Sequence, residues 1–261
     1  MGKDFYPGLA TQMRCVGALM VRDMMKRYGR ANIGFLWIVL EPLLLTAGVM
    51  LIWSLLKSPY EHGVPILAFV LTGYLPLTLW RHISNAGVHV FRQNAGVLYH
   101  RHLTLLDVLM ARFALEFVGT TSALLLVSLV LMAAGVLDPP ADPGLALLGW
   151  CSMGFLSLGF AANIAILTEY SEVTERLVQP LQYVILPISG FLFMAEWLPK
   201  SMQTIALYNP TVHCYEMFRA GYLGEAVPTH YTVWYPWLCG LVLLAIAMAT
   251  LDSVRSKLHA A

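Results

Sequence analysis

Phosphate-cradling loops of the form GxxxxGK(S/T) are missing from this chain, so it cannot hold ATP in that way. A GxSxG nucleophile elbow is missing too, because Gly154-Phe155-Leu156-Ser157-Leu158-Gly159 has the wrong spacing. Cysteine is scarce. Cys15, Cys151, Cys214 and Cys239 show neither CxxC spacing nor a histidine-rich companion, which indicates small buried hydrophobes and no metal site. Charge is sparse as well: 12% of 261 residues are charged and the net charge is +1. Nucleic acid is excluded as a partner, because phosphate binding needs a concentrated basic surface. What is abundant is apolar surface, with 58% hydrophobic residues and a mean hydropathy of +0.67. That is too apolar for an ordinary water-soluble domain, so the solvent is lipid.

A helix needs ~20 largely apolar residues to cross ~30 Å of hydrocarbon. Apolar runs predict spans over 113–137, 144–168, 177–195 and 233–251. Two further spans, 33–56 and 64–82, are less clean: the first contains Glu41, and the second ends on Arg81, which can snorkel. Residues 1–28 read as no cleavable signal, since Arg14, Arg22, Lys26 and Arg27 interrupt them. Instead, Leu9, Met13, Val16, Met20 and Met24 recur at helical spacing over 8–27 and predict an amphipathic helix in the membrane surface. Residues 196–232 are rich in aromatics, with turns at Pro199, Asn209-Pro210 and Pro228, and predict short helices that dip into the outer leaflet and return.

The expectation is an all-α integral membrane protein in one domain, 1–261. It has six transmembrane helices, an N-terminal amphipathic interfacial helix and re-entrant short helices before the last span. Orientation follows from the basic residues. With both termini cytoplasmic, only Lys57, Lys200 and Arg219 lie outside.

The stretch 85–107 is too long for a simple connection and mixes aromatic with basic residues, which suits docking to another protein. Its histidines, with His82, lack the His-Glu-x-x-His spacing of a metal site and are expected to be solvated. Glu169, Glu172 and Glu175 are expected to form a solvated or partner-facing helix start. Tyr74, Trp80 and Tyr183, with Trp37, are candidate rings for a sugar-stacking conduit.

The run Arg27-Tyr28-Gly29-Arg30-Ala31-Asn32-Ile33-Gly34-Phe35-Leu36-Trp37, followed by Leu40-Glu41-Pro42, resembles the first-span entrance of type-2 ABC exporter permeases. The capsular polysaccharide export permeases (KpsM-type) are the nearest resemblance. Asn94-Ala95-Gly96-Val97-Leu98 with Leu106-Asp107 and Arg112, and Asn209-Pro210 with Glu216 and Arg219, extend it.

The resemblance implies an inner-membrane permease, not an enzyme. It would pair with a second copy of itself and with a cytoplasmic ABC ATPase dimer that carries the ATP and Mg; this chain would hold no cofactor and no metal. A lipid-linked polysaccharide would be the cargo, with a periplasm-spanning export partner gripping 196–232. Asn85, Phe91, Arg92, Asn94, Leu98, Tyr99 and Asp107 would then couple to the ATPase. Arg27, Tyr28, Arg30, Gly34, Trp37, Glu41 and Pro42 would form the gate and substrate entrance beside helix 8–27, and Asn209, Pro210, Glu216 and Arg219 would belong to the re-entrant segment. O-antigen, teichoic acid or drug cargo, and a membrane enzyme acting on lipid-linked sugars, stay open, as does pairing of Cys214 with Cys239.

Overall fold

A computed structural model of the chain describes residues 5–28, 34–57, 59–98, 103–224 and 228–260. The chain is helical almost throughout. Helix α1 (Phe5–Tyr28) packs on α6 and α2, and α2 (Gly34–Leu56) carries Pro42 inside it. A two-residue hairpin, β1 (Tyr60–Glu61) with β2 (Val64–Pro65), turns through His62 and Gly63, both at positive φ. Paired positive φ values match the twist of a tight hairpin.

Helix α3 (Ile66–Ala86) leads into two short helices, α4 (Val90–Gln93) and α5 (Ala95–Leu98). Next, α6 (Leu105–Ala133) starts at a capping box in which Thr104 and Asp107 satisfy each other's backbone N–H groups. Helix α7 (Pro143–Tyr170) starts with Asp142 accepting from Leu145 N and Pro143 in the first turn, where a missing N–H is harmless. Then come α8 (Glu172–Ile185), α9 (Lys200–Ala206), α10 (Pro210–Leu223) and α11 (Trp234–Ala260).

Among the described residues five helices, α2, α3, α6, α7 and α11, contain stretches long and apolar enough to cross a membrane. The predicted span at 177–195 is the exception. Helix α8 has 14 residues, about 21 Å of rise, and passes into a 3-10 turn, Leu186–Ile188, before the chain unwinds. Pro187 cannot donate to the helix ladder, and Gly190 at φ 97° turns the chain away. The passage nevertheless continues alongside α3: Glu175 meets His89, Tyr183 meets Arg81, Phe191 abuts Gly73 and Trp197 stacks near Phe69.

Helix α7 is the hub, packed against α3, α10 and α11. The α7–α10 approach is close because both sides are small there: a Cβ on Gly221 would lie 2.2 Å from Ala146 N, and one on Gly149 2.5 Å from Phe218 N. Such small-residue contacts let helix backbones touch where lipid offers no hydrophobic drive.

Candidate functional site: a polar cleft and an unwound crossing

The face of α3 bearing Tyr74, Thr78, Arg81, His82 and Asn85 follows helical spacing, so these side chains stack along one stripe. Opposite it stand Glu41 of α2, His89 and Gln93 at α4, Arg112 of α6 and Gln179 of α8. Together they line a cleft of about 490 Å³ at the α4 end of the bundle. Its walls are tied by polar contacts. Arg81 donates to the Tyr183 hydroxyl at 3.1 Å while lying over that ring, its guanidinium carbon 4.9 Å from the centroid. Gln182 donates to Asn85 Oδ1 at 2.9 Å, and His89 Nε2 sits 2.6 Å from Glu175 Oε1. Deeper in, His82 Nδ1 is 3.6 Å from Glu116 Oε2, and Glu116 is buried.

The expected conduit rings separate here. Tyr74 lines the cleft and Tyr183 caps Arg81, whereas Trp80 is buried edge-on against Phe160 in the core facing α7. The expected coupling residues separate as well. Arg92 is exposed and reaches the buried Glu169 at 3.1 Å, and Asn85 lies in the cleft. Phe91, Asn94 and Asp107, by contrast, are buried. Phe91 joins the apolar cluster with Leu19, Val108 and Ile166. Asn94 accepts from Arg22, and Asp107 caps α6 and accepts from Gln12. The reason is physical: a helix of four residues can hold its place only by burying its apolar side and bonding its ends. Leu98 closes α5, and Tyr99 lies outside the described residues.

Of the acidic trio, Glu169 is buried at the end of α7 and bonds to Arg92, which corrects its solvated placement, whereas Glu172 is exposed at the start of α8. Glu175 is half-buried and pairs with the half-buried His89, which is therefore not freely solvated. At the entrance, Arg27 and Tyr28 close α1 and Gly34 opens α2, while Arg30 lies outside the described residues. Trp37 is exposed, Glu41 lines the cleft, and Pro42 is buried with its carbonyl taken by Thr46.

At the other end, α10 stitches the unwound passage after α8. Asn209 Nδ2 donates to Ile188 O at 3.0 Å and Thr211 Oγ1 to Ser189 O at 2.8 Å. Arg219 then donates to three carbonyls, those of Gly190, Phe191 and Phe193. Glu216 accepts from Ala195 N at 3.0 Å and from His230 N at 2.9 Å, which ties in the strand-like return before α11. A segment without its own hydrogen-bond ladder is tolerated inside a membrane bundle only where protein groups meet its backbone. Here they come from one helix whose first position is Pro210 and whose side chains are buried from Thr211 to Tyr222.

Residues 14–223, from α1 through the last residue of α10, match the sequence profile of the ABC-2 type transporter family. The chain belongs to that family. Its similarity to capsule polysaccharide export inner-membrane proteins runs nearly end to end. The CtrC protein of Neisseria meningitidis serogroup B is 41% identical over 246 residues, covering 94% of this chain and 93% of CtrC. BexB of Haemophilus influenzae is 35% identical over 244 residues, covering 94% and 92%. The polysialic acid transport protein KpsM of Escherichia coli is 27% identical over 253 residues, covering 93% and 94%.

Within this ABC-2 family framework, sequence reasoning missed Arg81, His82, Arg112 and Gln182, which shape the cleft, and Thr211, which helps hold the unwound passage. A signal existed for the first two: they extend the stripe begun by Tyr74 and Thr78. Among the described residues no group of three or more His, Cys, Asp or Glu could hold a metal ion, and Cys214 and Cys239 are free thiols.

Proposed function

We propose that this chain is the permease subunit of an ATP-driven exporter that carries a lipid-linked capsular polysaccharide across a bacterial inner membrane. It works as a homodimer, bound to a pair of separate cytoplasmic ABC ATPases. The observation that carries the proposal is the polar cleft cut into an otherwise apolar bundle, in a chain similar over 94% of its length to a capsule export protein. A sugar chain drawn through hydrocarbon would leave its hydroxyls unpaired at several kcal/mol apiece, on the order of unpaired polar burial. A polar passage with the Tyr74 and Tyr183 rings at its wall offers both partners and stacking faces.

The α4 end of the bundle would face the cytoplasm, where exposed Arg92 and Gln93 stand ready for the ATPase. The outward stripe of α8, Val173, Leu177, Leu181 and Val184, continued by Ile188 in the following turn, gives a second copy or lipid an apolar face to cover. The names of the relatives favour capsule over the other cargoes. The His82–Glu116, His89–Glu175 and His230–Glu196 pairs are the kind of arrangement that an enzyme reading would use.

Co-purification from the native membrane, followed by mass determination, tests the proposal. Two copies of this chain with two nucleotide-binding subunits are expected. A lone chain that turns over lipid-linked sugar without any ATPase would defeat it.

A further inference from the structure

Among the side chains described, helix α1 meets the bundle through both apolar and polar contacts. Leu19 is buried and Val16 partly buried against the cluster containing Val90 and Phe91, while Met13, Val21 and Met25 are exposed. Gln12 donates to Asp107 Oδ1 at 2.9 Å, which ties the first half of α1 to the start of α6. Near the other end, Arg22 donates to Asn94 Oδ1, a partner 72 positions away in the chain.

Asn94 is fixed by α4 itself. Its Nδ2 donates to Val90 O at 2.8 Å, so the amide oxygen is turned toward α1. Arg22 is fixed in its turn by Asp23, whose Oδ1 accepts from both Nε and an Nη of Arg22. Asp23 is only 6% exposed, although it is a carboxylate on a surface helix. Such a burial is costly unless the charge is paired.

The joint is not saturated. Arg22 Nη1 and Arg112 Nε are buried with no hydrogen-bond partner among the described residues, and a hollow of about 200 Å³ lined by Asp23, Lys26, Gln93, Asn94 and Arg112 lies at the joint. Unmet buried donors are uncommon in a settled contact. A joint with spare donors and room can exchange partners between two arrangements.

We infer that Arg22 and Asn94 lock α1 to α4, so that a displacement of α4 reaches α1 directly, without first passing through the spans. They are positioning residues for coupling, and this inference rests on the exporter reading above.

The test uses the complex of this chain with its ATPase, together with capsule display in cells lacking the native chain. In Arg22→Met and in Asn94→Ala, the ATPase stays bound and hydrolysis stays within about twofold, while export per ATP falls about tenfold. The double variant falls no further than either single one, since both remove one contact.

Arg22→Met lies outside the α4–α5 loop, so its result stands even where Asn94→Ala loosens α4. Unchanged export in Arg22→Met, or effects that multiply in the double variant, would overturn the inference while leaving the exporter reading intact. A wild-type chain that recovers no ATPase would overturn the exporter reading, and this inference with it.

Discussion

A guanidinium with no exposed surface is tolerated at position 219 because both terminal nitrogens and its flat face are answered, with Nε alone left without a hydrogen-bond partner among the described residues. Its two terminal nitrogens meet three carbonyls, and its plane lies over Phe69, the carbon 4.5 Å from the ring centroid, with Tyr215 at 5.5 Å. Arginine suits this place through its flat fork and its readiness to stack; a lysine is a compact point charge that cannot span separated acceptors. Arg219→Met should therefore leave three carbonyls unmet, that of Gly190 buried and those of Phe191 and Phe193 partly buried, at up to about 1–3 kcal/mol each, and Arg219→Lys should recover only part of the loss. Thermal unfolding in detergent, followed by size exclusion, reads this directly. A methionine variant that melts with the wild type would show that the carbonyls find other donors. The residues Asn209, Pro210, Glu216 and Arg219 were legible in the sequence as a group. Their partners were not, because four of those partners are main-chain carbonyls of 188–193, and backbone atoms leave no trace in residue type.

Helix α8 shows how an element is ended and then replaced. Pro180 and Pro187 signalled a disturbance in the sequence, yet they did not say that the helix would stop at Ile185 and give way to unwound chain. That outcome depends on Gly190, whose φ of 97° suits glycine and whose added Cβ would lie 3.2 Å from Val212 Cα. Gly190→Ala should cost about 1–3 kcal/mol from backbone strain, and it should push α10 away from the passage that it stitches. A lowered melting temperature together with faster reaction of the buried Cys214 thiol is the expected result. An alanine variant with unchanged melting and unchanged Cys214 protection would mean that the turn relaxes freely. The long helices were readable for a simpler reason: a charge-free run of sufficient length has few alternatives in lipid. Helix α4 was not readable in the same way. Four residues carry no period, so Phe91 and Asn94 looked like surface contacts until the long-range partners Leu19 and Arg22 closed over them.

For the whole molecule, the two ends differ in charge more sharply than the sequence alone suggests. Arg14, Arg22, Lys26, Arg81, Arg92, Arg112 and Arg176 gather toward the α4 end, while Lys57, Lys200 and Arg219 were assigned to the opposite side. Arg219, however, is sealed inside α10's contact with the unwound passage and is no loop charge at all. Removing it from the balance leaves only Lys57 and Lys200 on that side among the described residues, which strengthens the positive-inside argument for a cytoplasmic α4 end. The prediction concerns reagent access from each face. In a chain whose own cysteines are replaced, an impermeant thiol reagent should reach Lys200→Cys, at the exposed start of α9, in intact spheroplasts. Met25→Cys, exposed on α1, should react only in inverted vesicles or after permeabilisation. Labelling of Met25→Cys in intact spheroplasts would place α1, and with it the α4 end of the bundle, on the outer side. The cleft would then open away from the ATP supply, and neither the coupling through α4 nor the direction of export could hold.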